Sequence, residues 1–174
     1  MQTVHYQGMT VQVQHPALWI DRGQQIVRDL IDVLVHPGIT LQCLRHLIAN
    51  RHRLISGHYH TPANRGCLMF ILTEPLGKKQ ISSKAELTRF FGREHGRPGS
   101  VNYIAAKDSP EYRPAKWLVR LVDAQYCNQV RSRYGRSCEF FDYDLVLAVA
   151  RQILAQREAI EGCVPLQTLA AVGD

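Results

Sequence analysis

Five separate stretches of this chain repeat apolar residues three and four positions apart, and glycine or proline closes four of them. This pattern restricts the fold most, because a helix with one apolar stripe must bury it against another element. The first stretch runs from about Gly23 to Val35, with Ile26, Leu30, Val33 and Leu34 on its stripe. Asp21 is its expected cap, and Pro37 with Gly38 is its stop. Thr40 caps a second helix to Asn50, with Leu41, Leu44, Leu47 and Ile48 inward. The short link between the two predicts an antiparallel helical hairpin. Ser83 and Glu86 are spaced as a capping box, opening a third helix through Leu87, Phe90 and Phe91 to Gly92. Pro114 suits the first turn of a long helix that carries Trp117, Leu118, Leu121, Val122 and Val130 and stops near Tyr134 and Gly135. The last helix starts at Asp142 or Asp144 and runs to Glu161, with Leu145, Val149, Ile153 and Ile160 on one stripe and Gly162 as its end. A short helix from Ser100 through Val101 and Ile104 is a sixth candidate.

Two segments read differently. Val4, Tyr6, Met9, Val11 and Val13 alternate with polar residues around Gly8, as the inner side of a short β-hairpin would. The apolar run from Cys67 to Thr73 is too short for periodicity to separate a strand from one helical piece. The expected fold is therefore mainly α, a single helical domain of five to six helices over residues 1–174. A β-hairpin arm covers residues 1–15, and an apolar tail covers residues 163–174.

No uninterrupted apolar run exceeds six residues, against the ~20 that a membrane-crossing helix needs. Residues 1–20 lack Lys, Arg and a continuous apolar stretch, so no secretory signal is expected. The five cysteines, Cys43, Cys67, Cys127, Cys138 and Cys163, are widely spaced without a C-x-x-C pair, which fits reduced thiols in the cytoplasm.

Charge is unevenly spread. Residues 75–136 hold thirteen basic against five acidic groups, whereas residues 137–174 hold two against six. Within the basic middle, Arg113, Lys116, Arg120 and Arg131 recur close to one face of a continuous helix, with Trp117 and its apolar neighbours opposite. Arg133 and Arg136 extend the row. Arg93 and Arg97 lie in a glycine-rich basic loop, and Lys78, Lys79, Lys84 and Arg89 could join if the segments pack together. Rows of Arg and Lys suit a phosphate backbone. The turn of seven residues between Gly92 and Ser100 is too long for a helix-turn-helix.

A second constellation is His46, His52, His58, His60 and Cys67. His58 and His60 form an H-x-H pair, which on an extended strand puts both rings on one face, and Cys67 could complete a tetrahedral site for zinc or another divalent metal. No H-E-x-x-H, nucleophile elbow or nucleotide-binding glycine loop occurs. Asp142 and Asp144 read more simply as helix caps than as a catalytic pair. The expected function is non-enzymatic binding of nucleic acid, DNA or RNA, or of a nucleoprotein complex through the basic middle. Two alternatives stand beside it: a metal-dependent enzyme using the histidine-rich loop, and a protein–protein adaptor using the tail after Gly162.

Overall fold

A computed structural model describes residues 1–14, 22–92, 110–123 and 128–162. The expected fold class holds: the chain is mainly helical with an N-terminal two-stranded antiparallel hairpin. Seven α-helices occur among the described residues, one more than expected. The run from Cys67 resolves as a helix, and the long central helix is two. The short helix expected at Ser100, the cap at Asp21 and the tail fall outside the described residues.

Strands β1 (Gln2–Tyr6) and β2 (Met9–Val13) pair with Val4 opposite Val11 and Tyr6 opposite Met9. The two-residue turn places Gln7 and Gly8 at φ 51° and 73°. Positive φ at both positions gives the turn whose twist matches the strands, and glycine takes it without strain. Val4, Val11 and Val13 are buried on the inner face.

Helix α1 (Gly23–Leu34) buries Ile26, Val27, Leu30, Ile31, Val33 and Leu34, and the N-cap position is Arg22, whose side chain makes no capping bond. Helix α2 (Leu41–Ala49) begins as expected, with Thr40 Oγ1 accepting from Cys43 N–H. The two do not form a hairpin. Helix α1 packs on β1, while α2 packs on α3 (Leu68–Thr73), and both lie against the last helix, α7 (Tyr143–Gly162). Their stripes thus meet a shared partner rather than each other. All six residues of α3 are buried, so it needs no polar face. Gly66 lets the preceding loop close onto it, since a Cβ there would stand 2.2 Å from the Tyr59 carbonyl oxygen.

Helix α4 (Lys84–Phe91) opens on Ser83, whose Oγ accepts from Glu86 N–H. Only half of the expected box forms, because the Glu86 carboxylate reaches Ser82 instead, at 2.7 Å from both its N–H and its Oγ. The central basic segment is described as α5 (Tyr112–Asp123) and α6 (Asn128–Tyr134). A continuous helix would separate Trp117 from Arg133 by ~24 Å along its axis. The Arg133 guanidinium instead lies 5.7 Å from the Trp117 ring centre, so α5 and α6 fold back on each other. Asp142 caps α7 by accepting from Leu145 N–H at 3.1 Å. Leu145, Val149 and Ile153 are buried as expected, but Ile160 is exposed, because the last turns of α7 run past the core. No helix among the described residues is long and apolar enough to cross a membrane.

Helix α7 also closes the outer edge of β2. Gln156 accepts from Thr10 N–H at 2.9 Å and donates to its carbonyl at 2.7 Å; Gln152 does the same for Gln12 at 2.8 and 2.6 Å. Two glutamines four apart on a helix are ~6 Å apart, close to the ~6.8 Å between alternate strand residues. Two carboxamides thus stand in for a third strand. Replacing both with alanine should cost about 1–2 kcal/mol in total. Amide exchange at Thr10 and Gln12 should quicken about tenfold or more, with Val11 nearly unchanged. Unaltered protection at Thr10 and Gln12 would show that the ladder does not hold the edge.

Candidate polyanion-binding surface

The cations of the described chain divide by what they touch. Arg133 comes from α6 and reaches Asp29, which is fully buried on α1. Its Nε and Nη2 donate to the two carboxylate oxygens at 2.7 and 2.6 Å. Tyr134 OH donates to Asp29 Oδ2 at 2.7 Å and Gln25 Nε2 to Oδ1 at 2.9 Å. Burial pushes the Tyr134 phenol well above its usual range, and the Asp29 charge adds to this. Burial also opposes the charge on Arg133, but Asp29 outweighs that cost and raises its pKa. Arg133 is therefore bonded into the fold through Asp29, where the sequence pattern had set it in an exposed row.

The Arg133 guanidinium and that of Arg120, 5.2 Å from the ring centre, both lie against Trp117. Trp117 is half-buried, packed on the core as the sequence pattern predicts, and also meets the cations. Arg120 also donates to Gln129 at 2.6 Å. Arg131 pairs with Glu139 at 3.0 Å on the surface. Arg113 and Arg136 are exposed, and neither forms an ion pair among the described residues. Lys116 stands 6.0 Å over the Tyr112 ring. Arg93 and Arg97 lie outside the described residues.

The segment bearing Lys78, Lys79, Lys84 and Arg89 does pack against α5, where Thr88 Oγ1 donates to Tyr112 OH at 3.3 Å. All four cations are exposed and form no ion pair among the described residues. Lys78, Lys79 and Arg89 line a cleft of about 450 Å³ with Phe90, His36 and Gln80. A second cleft, of about 520 Å³, takes in Arg113, the Asp29–Arg133 pair and Asp32. Burial raises the Asp32 carboxyl against the opposing hydrogen bond from Tyr6 OH, at 3.1 Å. His36 borders both clefts.

The histidine-rich loop is not gathered around a common point. Among the described residues, no three His, Cys, Asp or Glu side chains come together to hold a metal ion. His58 is exposed, His60 lies on the Phe70 ring with centres 5.3 Å apart, and Cys67 is buried at the start of α3. The loop is organised by Glu74, which sequence reasoning missed. Arg53 binds both oxygens of its carboxylate at 2.6 and 2.9 Å, with His46 and Asn64 completing the set. Asp29 was also missed. Its signal was a carboxylate on the apolar stripe between Ile26 and Leu30, a position acids occupy only when paired.

Comparison with protein-family models, curated proteins and solved structures finds no match to this chain.

The Glu74 carboxyl is held down to about 2, first by the Arg53 hydrogen bonds, with burial opposing them. A carboxyl held low stabilises the fold fully above its ordinary range near ~4.3, and that stability is lost as pH falls toward the lowered value. Glu74→Gln should thus cost about 2 kcal/mol at neutral pH. Denaturant titrations should show the gap between the two proteins closing as pH falls from about 4.5 to about 2. A gap that stays constant would show that Glu74 gains nothing from its charge.

Proposed function

We propose that this protein acts by binding nucleic acid, DNA or RNA, through phosphate contacts made by cations that form no ion pair among the described residues. The observation that carries this reading is the division of the basic residues. Arg45, Arg51, Arg53, Arg131, Arg133 and Arg157 each face a carboxylate. Lys78, Lys79, Lys84, Arg89, Arg113 and Arg136, all from the basic middle of the chain, are exposed and form no ion pair among the described residues. Arg28, Arg65 and Arg151 are likewise exposed without an ion pair, but they lie singly in the sequence, whereas the middle supplies six. Leaving like charges together without partners costs stability, and a polyanion offsets that cost by neutralising them and releasing its own counterions. Tyr112, which sits against both α4 and Lys116, ties the two basic segments into neighbouring surface. The buried thiols of Cys43, Cys67 and Cys138 support a reducing compartment such as the cytoplasm.

Lys78→Gln, Lys79→Gln and Arg89→Gln in one variant provide the test. All three side chains are exposed, so folding stability should change by no more than about 0.5 kcal/mol per site. Affinity for a fluorescent oligonucleotide should drop, and the log–log salt slope should flatten by roughly 0.7–0.9 for each phosphate that the variant no longer neutralises. An unchanged slope would remove these three residues from the interface. Failure of the wild-type protein to bind DNA or RNA even at ~50 mM salt would overturn the reading as a whole.

A further inference from the structure

The cleft bordered by Lys78, Lys79 and Arg89 has an aromatic wall. The half-buried rings of Phe90 and His36 lie with centres 5.3 Å apart, inclined by 38°. Phe91 meets them edge-on from the core side, at 4.9 and 4.7 Å. Gly38 makes room for this group, since a Cβ there would stand 2.6 Å from Phe90 Cζ. His36 Nδ1 accepts from Gly38 N–H at 3.0 Å, which fixes the imidazole in place. Gln80 donates its Nε2 to the Phe70 carbonyl at 3.3 Å, and its own carbonyl oxygen has no donor among the described residues. Glu86 also borders the cleft; its carboxylate is bonded by Ser82 and feels the charge of Arg89, which leaves Lys78 and Lys79 as the cations it offsets least.

Half-buried rings with exposed cations around them match the two parts of a nucleotide. A base offers a flat π-face, and its phosphates offer charge. The cleft volume of about 450 Å³ falls in the range of pockets that take small planar ligands. Bases in a duplex keep their faces stacked on one another, whereas unpaired bases can turn onto a protein ring. We infer that this cleft receives an unpaired base against Phe90, with the adjoining phosphates on Lys78, Lys79 and Arg89, so that the protein prefers single-stranded over duplex nucleic acid. This rests on the nucleic-acid reading above and names the form of ligand that the same surface selects.

The experiment compares three probes: a mixed-sequence single-stranded DNA oligonucleotide, its duplex, and inorganic polyphosphate. Wild-type protein should bind the single strand about tenfold more tightly than the duplex. Phe90→Leu keeps an apolar side chain but removes the π-face; it should weaken single-strand binding about tenfold and leave polyphosphate binding unchanged. Phe90→Tyr should restore the wild-type preference. If the leucine variant fails to fold, Gly38→Ala displaces the ring without removing it and should weaken the single strand selectively.

Equal binding of strand and duplex, or a leucine variant with unchanged single-strand affinity, would overturn the inference. So would an equal drop on all three probes, which marks Phe90 as structural. In each of those cases salt-dependent polyphosphate binding would leave the wider reading standing, whereas no binding of any probe would remove both.

Discussion

Asp29 is the point on which the described structure turns. A carboxylate without water in a protein interior is tolerated only when donors replace the whole of its hydration. Here four donated bonds do so, from Gln25, from Arg133 twice, and from Tyr134. The chain brings Arg133 and Tyr134 to α1 across more than a hundred residues, so satisfying Asp29 fixes α6 on α1. The same guanidinium reaches Trp117, which sets α5 beside α6. Loss of either partner would strand the other. The remaining charge or hydroxyl would be buried without a counterpart, which is the costly case for a hydrogen-bonded ion pair.

That constraint also shapes the surface. Arg133 faces a fully buried carboxylate and Arg53 a partly buried one, where the local medium screens little and geometry is bidentate. Their charge is used within the fold. Arg89, Arg113 and the lysines of the 78–84 segment are exposed and form no ion pair among the described residues, so their field extends outward over about a Debye length. A row of basic residues in sequence is therefore two populations in space. Only one of them forms no ion pair among the described residues.

Elements governed by neighbours in sequence were legible before the structure. The hairpin followed from alternation around Gly8, α2 from Thr40, α4 from Ser83 and the start of α7 from Asp142, because turn and cap chemistry act over a few residues. Features decided across the chain were not legible. Periodicity drew α5 and α6 as one helix, since nothing local records that Arg133 must return to Asp29. It placed Trp117 with the apolar residues, and the ring does pack on the core, but nothing local recorded the two guanidinium groups on it. It carried the stripe of α7 on to Ile160, past the point where the core ends. The Gln152 and Gln156 ladder looked like ordinary polar helix surface. Of the candidate site, the basic character and its segment were visible, but which cations stay unpaired depended on distant carboxylates.

The central claim is this division between arginines that hold the fold and arginines that the proposed function assigns to a polyanion. Arginine modification by phenylglyoxal, mapped residue by residue with mass spectrometry, reads both halves in one experiment. Without ligand, Arg89 and Arg113 should react quickly and Arg53 and Arg133 slowly. At saturating single-stranded oligonucleotide in ~50 mM salt, Arg89 should become protected while Arg53 and Arg133 stay as they were. Arg133 reacting as fast as Arg113, or Arg89 remaining fully reactive with the oligonucleotide bound, would contradict the account.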